Sequence, residues 1–144
     1  MPSAEEMKSK VREFDRKIFN EHDVAYIKDS VADGFVEYSP APGMTPDRDG
    51  LIATLEGMLR AMPDMRSEIL DLIASGNKVA VRSRFTGTDT GGFMPGAPPT
   101  GKQATAESID VVEFDEEGKM TSHYGIMDMI GVMTQLGLMP SPGQ

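Results

Sequence analysis

Between Ala104 and Phe114 the chain alternates with a period of two. Ala104, Ala106, Ser108, Asp110, Val112 and Phe114 share one parity, and Thr105, Glu107, Ile109, Val111 and Glu113 the other. That period predicts a strand with two distinct faces. Asp115-Glu116-Glu117-Gly118-Lys119 is a short acidic connection suited to a hairpin, and Met120 to Met127 runs back. Facing residues across such a hairpin have numbers that sum to about 234 or 235, so Asp110 meets either Tyr124 or Gly125. Asp128 then opens a last amphipathic segment ending at Gln135-Leu136-Gly137.

The earlier chain reads as helices first and strands second. Ser3 and Glu6 have capping-box spacing, and Met7, Val11, Phe14 and Ile18 follow as one apolar stripe ending near Asn20. Asp23 to Lys28 predicts a short second helix, Gly34 a break, and Phe35 to Tyr38 a short strand. Ser39 to Pro46 is a proline-rich loop. Thr45 is the expected cap of the next helix, with Pro46 at its first position. That helix carries Leu51, Leu55, Met58 and Met62 and stops at Pro63-Asp64. Ile69 to Ala74 and Val79 to Thr86 predict two strands joined at Ser75-Gly76-Asn77. Gly87 to Gly101 is a long Gly/Pro/Thr loop whose Phe93 and Met94 can fold over a cavity mouth. A frayed tail is expected from Pro140 to Gln144.

Helices followed by a mostly antiparallel meander argue for an α+β fold, with helices packed on one face of a curved sheet. A cavity between the two layers is a usual place for a small-molecule site. The 144 residues suit a single domain, 1–144, and no repeat or linker divides them. Acids outnumber bases 23 to 14, for a formal charge of −9. This excess argues against nucleic acid and anionic membrane as partners. The absence of cysteine excludes disulfides, a thiol nucleophile and a Cys-based metal site. The polar N-terminus and the lack of a long apolar run make a cytoplasmic location the default expectation. The 12 methionines include core filler, but such side chains also adapt to variable apolar ligands.

Several stretches carry a resemblance. Phe19-Asn20-Glu21-His22-Asp23 follows the first helix, and Pro63-Asp64 precedes the first long strand. Gly87-Thr88-Asp89-Thr90-Gly91 leads into Gly96-Ala97-Pro98-Pro99-Thr100-Gly101-Lys102, and Asp128 precedes Gln135-Leu136-Gly137. Together they resemble the SnoaL-like polyketide cyclase family of the nuclear-transport-factor-2-like superfamily, over nearly the whole chain. The resemblance implies a cone-shaped α+β barrel, a homodimer or homotetramer, and a deep apolar pocket. It also implies ring closure by intramolecular aldol chemistry without metal or organic cofactor. Within that pattern Asp110 stands where anthracycline-type cyclases usually carry a His, Gly125 matches their apparent acid, Asp89 replaces a loop His, and Tyr124 replaces a Trp.

Three residues are candidates for chemistry. Asp110 lies among small and apolar neighbours of its own parity, and a carboxylate facing an apolar cavity is desolvated, as proton transfer requires. His123 lies diagonal to Asp110 in the register that pairs Asp110 with Gly125, where a carboxylate would orient it. The other register turns Tyr124 to the pocket instead. Asp128 matches a family acid, and it is also a favoured helix N-cap. Phe19, Tyr38, Thr54, Met58, Phe93 and Tyr124 are candidates to line the cavity around a small apolar organic molecule. Asp89 reads as a turn residue or a pocket-mouth acid. His22 has no partner at metal-ligand spacing. These residues suggest an acid–base cyclase or isomerase, with Tyr124 as a candidate donor to an enolate. A small-molecule binding protein and a ring-hydroxylase relative remain as alternatives.

Overall fold

The computed structural model describes residues 1–140, so the expected tail lies outside the described residues from 141 onward. Helix α1 spans Ala4–Asp15, and the Ser3 hydroxyl accepts from Glu6 N–H at 3.1 Å. The helix widens into a π-helical turn, Arg16–Asn20. Its stripe continues through that turn: Met7, Val11 and Ile18 are buried, and Phe14 packs against them. A 3-10 turn, Val24–Tyr26, leads into α2, Ile27–Ser30. Strand β1 spans Val31–Glu37 and pairs with a later strand at Val31 and again from Val36. The expected break at Gly34 is therefore an irregularity within one strand, not its start.

Helix α3, Arg48–Ala61, begins later than Pro46 and is capped by Asp47 rather than Thr45. The Asp47 carboxylate accepts from Gly50 N–H at 2.9 Å and from the Thr45 hydroxyl at 2.7 Å. A carboxylate at the N-cap also meets the positive end of the helix dipole, which a hydroxyl cannot match. Strands β2 (Arg66–Ser75), β3 (Lys78–Thr88), β4 (Gln103–Phe114) and β5 (Met120–Met127) form the antiparallel meander, followed by α4, Met129–Gln135. The sheet order is β1-β5-β4-β3-β2, with β1 parallel to β5.

The α+β reading therefore holds: among the described residues, four α-helices accompany a five-stranded, mostly antiparallel sheet. Val79, Val81, Val112 and Phe114 are buried with Met7, Val11 and Ile18 of the helical layer. This defines the helix-covered face of the sheet. Ser83, Phe85, Ala104, Ala106, Ser108 and Asp110 share it through the β3–β4 register. The opposite face carries Ile73, Ile109, Tyr124 and Ile126, all exposed. No helix among the described residues is long and apolar enough to cross a bilayer.

The β4–β5 hairpin uses both sums that the sequence allows. Phe114 faces Met120, but Glu113 faces Ser122, so a register shift next to the turn inserts one residue on β5. From there Val112 faces His123, Val111 faces Tyr124 and Asp110 faces Gly125. One extra residue reverses the parity of everything beyond it. His123 is thereby turned to the helix-covered face and Tyr124 to the other.

Candidate functional site

The hairpin register sets His123 and Asp110 diagonally on one face, and their side chains meet. His123 Nε2 lies 2.7 Å from Asp110 Oδ1. Asp110 Oδ2 accepts from the Ser108 hydroxyl at 2.8 Å. Ser108 is one step earlier on the same face of β4, and it is buried. The other ring nitrogen, Nδ1, lies 2.7 and 2.8 Å from the two oxygens of Glu37. Parallel pairing of β1 with β5 puts Glu37 directly opposite His123. Glu37 Oε2 also accepts from the backbone N–H and hydroxyl of Ser39, both at 3.1 Å.

The result is an imidazole between two carboxylates. Burial opposes the charged ring, but hydrogen bonds to Asp110 and Glu37 outweigh it and push His123 up to about 9. For Glu37, burial raises the carboxyl while the bonds from His123 and Ser39 lower it, and the net direction is down. At neutral pH the ring is therefore an imidazolium facing an ionised Glu37. The side chains of His123 and Asp110 keep 25% and 22% of their exposure, so the pair is reachable and not sealed in the core. The carboxylates stand on opposite sides of the ring and do not converge on a common point. Among the described residues no group of three or more His, Asp or Glu side chains is arranged to hold a metal ion.

Gly125 makes the contact possible. A Cβ there would lie 2.2 Å from Asp110 Oδ1 and 2.8 Å from the His123 ring atoms Cε1 and Nε2. Any larger residue would occupy the space in which the two side chains meet. The same glycine's N–H donates to the Ser39 hydroxyl at 2.9 Å, which ties the β1 side of the array to β5.

Four of the methionines surround a small apolar cavity farther along the same face. It measures about 50 Å³ and is lined by residues including Met58, Met62, Met65, Met127, Phe85 and Phe93. Ala104 and Ala106 form its floor on β4. Asp110 lies beyond its lining, four residues on from Ala106, or about 13 Å at the rise of a strand.

Asp89 organises the loop that carries Phe93. Its buried carboxylate accepts from the N–H groups of Gly92 (3.0 Å), Phe93 (2.7 Å) and Thr100 (2.9 Å), and from the Thr100 hydroxyl (3.0 Å). Burial raises this carboxyl, but the four donors together hold it below the usual carboxylate range. Of its two expected roles, the structure shows the turn role.

The 144 residues match the model of the SnoaL-like polyketide cyclase family over residues 9–136. The chain belongs to that family. No curated protein matches this SnoaL-like chain in sequence. Solved structures do resemble it. AclR from Streptomyces galilaeus, whose assignment as a hydroxylase is provisional, is 27% identical with a TM-score of 0.86, covering 99% of this chain and 87% of its own. A provisional polyketide cyclase from Acidithiobacillus ferrooxidans is 26% identical with a TM-score of 0.80, covering 96% and 99%. TsrD from Streptomyces laurentii shares the fold at 22% identity and a TM-score of 0.84, covering 96% and 100%.

Within this SnoaL-like fold the expected residues separate into groups. Asp110 and His123 come together. Met58 and Phe93 line the apolar cavity, and Phe19 packs edge-on to Phe85 of its wall at 4.8 Å between ring centres. The Thr54 hydroxyl donates to the Gly50 carbonyl at 2.8 Å inside α3, a helix-internal bond. Tyr38 and Tyr124 need correction as pocket residues. They are exposed on the outer face, with ring centres 6.4 Å apart, because the hairpin shift turns Tyr124 away. Of the two roles expected for Asp128, the structure shows the cap: the residue is exposed, and its carboxylate accepts from Gly131 N–H at 2.9 Å at the start of α4. His22 Nε2–H donates to the Met65 carbonyl at 2.8 Å, a tertiary tie. Glu37, Ser39 and Ser108 were missed by sequence reasoning. For Glu37 the available signal was a carboxylate at the same parity as Phe35 on a short strand.

Proposed function

We propose that this SnoaL-like protein is an acid–base enzyme, a cyclase or isomerase, that acts on a bulky apolar carbonyl compound of polyketide or related natural-product type. The observation that carries this reading is the 2.7 Å contact between Asp110 and His123, on the same helix-covered sheet face as an apolar, methionine-lined cavity. Asp110 is the base. It takes a proton from the carbon next to a carbonyl, and the C–H electrons pass to the carbonyl oxygen as an enolate. The positive His123 ring beside it stabilises that negative charge. In a cyclase the enolate carbon bonds to a second carbonyl, whose oxygen then receives the proton from Asp110. In an isomerase the proton returns to another carbon of the same enolate. Both steps need only groups of this chain, and Tyr124 has no part in them.

The cavity is far smaller than the several hundred Å³ typical of a site for a drug-sized ligand. Admission of a bulky substrate thus requires the cavity to widen. The test of the reaction class is deuterium uptake next to the carbonyl, read by NMR over a panel of enolisable polyketide-type ketones in heavy water. Asp110→Asn should abolish uptake and leave ketone binding nearly unchanged. Equal uptake by the variant would sink the mechanism. The likeness to AclR favours hydroxylation as a second reading. Turnover that depends strictly on oxygen and an external reductant would select it.

The outer sheet face supports a homodimer. Ile73, Ile109, Tyr124 and Ile126 are each more than half exposed there, and the Arg82–Glu107 and Arg84–Glu68 pairs border them. An apolar centre with a charged rim is the usual anatomy of a protein interface. Ile126→Asp should convert a dimer to monomer in sedimentation velocity, and a wild-type monomer would remove this part of the reading.

A further inference from the structure

We propose that Glu37 is a positioning residue that keeps the His123 ring protonated on both nitrogens and fixed against Asp110. Tyr38 N–H donates to the His123 carbonyl at 2.9 Å, and Glu37 N–H donates to the Pro46 carbonyl at 3.0 Å. Glu37 is thus pinned between β5 and the loop before α3. Its side chain is 8% exposed, and its oxygens are committed to His123 and Ser39.

The ring geometry then restricts the proton count. A neutral imidazole has one N–H and one bare lone pair. A lone pair 2.7 Å from a carboxylate oxygen is repulsive. Here both nitrogens lie 2.7 Å from carboxylate oxygens, so each needs a proton between itself and its partner. Protonating Glu37 instead would set its O–H against the two donors of Ser39 that already converge on Oε2. The Ser108 hydroxyl donates to Asp110 Oδ2, which leaves Oδ1 as the acceptor for Nε2–H. The charged groups that face the ring are Glu37 from β1 and Asp110 from β4, and among the described residues neither makes another ion pair.

The chain of bonds therefore runs from Gly125 N–H through Ser39, Glu37 and His123 to Asp110. Its catalytic consequence rests on the reading of Asp110 as the base. With Glu37 holding Nδ1–H, the ring cannot take the substrate proton. Its Nε2–H stays on Asp110 Oδ1, and Asp110 alone exchanges a proton with substrate. Without the Glu37 charge, the ring would deprotonate within the working range and offer Asp110 a lone pair in place of a donor.

The test needs no substrate. Ring nitrogens of ¹⁵N-labelled protein are titrated by long-range ¹H–¹⁵N NMR, and His22→Gln identifies the signals of His123, since the chain has 2 histidines. Near neutral pH both His123 nitrogens should show imidazolium shifts. Glu37→Gln should lower the midpoint by about one unit or more, a tenfold or greater loss in proton affinity. Ser39→Ala should lower it in the same direction by less. A neutral ring in the unmodified protein overturns the proposal. So does an unshifted midpoint in Glu37→Gln with a native circular dichroism spectrum. If Glu37→Gln does not fold, the unmodified protein and Ser39→Ala still decide, and an unshifted Ser39→Ala is refuting. Loss of deuterium uptake in Asp110→Asn tests the base separately, so either reading can fail while the other stands.

Discussion

Replacing Gly125 by Ala adds one methyl group where Asp110 and His123 meet. The added carbon would stand 2.2 Å from Asp110 Oδ1 and 2.8 Å from His123 Nε2. All three atoms that it meets are ends of side chains, so the backbone need not move. The cost is the contact itself, a charge-assisted hydrogen bond with a net worth of about 1.5–3 kcal/mol. Gly125 does not have positive φ, so alanine also narrows the unfolded ensemble and returns about 0.4–1 kcal/mol. The net loss is about 1–2 kcal/mol, or a fall in Tm of roughly 3–6 °C for a domain of this size. Urea unfolding at neutral pH measures it. The difference from the unmodified protein should shrink above the His123 titration at about 9, where the ring no longer donates on both sides. A variant as stable as the parent at neutral pH, with unchanged His123 shifts, would refute the packing argument.

Four further outcomes are expected. His123 has a folded pKa of about 9, above its ordinary value of 6.5, so its contribution is complete below 6.5 and is lost as pH rises through 9. Urea midpoints should fall over that window by the equivalent of roughly 3 kcal/mol, and His123→Gln should flatten the fall. The Glu37 carboxyl is lowered, so its share is present above 4.5 and disappears as pH falls through its folded value. Asp89→Ala leaves four donors without their acceptor and should cost about 3 kcal/mol; limited proteolysis should then cut between residues 89 and 101. Asp128→Ala should cost about 1 kcal/mol through loss of a cap and leave the His123 titration unchanged. A shifted titration would tie Asp128 to the array.

Much of the fold is local in origin. The alternation from Ala104 to Phe114 assigns each side chain to a face whatever the neighbours do, because the strand period is two. The stripe Met7, Val11, Phe14, Ile18 marks a helix for the same kind of reason. The order of elements then leaves few ways to cover an apolar sheet face, and α+β follows. Asp110 was legible as a site because a carboxylate in such a stripe conflicts with burial. The loop from Gly87 to Gly101 was legible as a loop, but the buried role of Asp89 depends on donors up to 11 residues away.

What tertiary structure alone decided is the parity of β5 and the identity of the partner of His123. Periodicity cannot locate a one-residue shift, and here the shift after Phe114–Met120 exchanges Tyr124 for His123 on the inner face. Glu37 is 86 residues from His123, on a parallel strand whose pairing leaves no periodic trace in the sequence. Local pattern determined which residues could face inward. The hairpin shift and the long-range pairing determined which of them touch, because contact at 2.7 Å is fixed by register between strands and not by spacing along one.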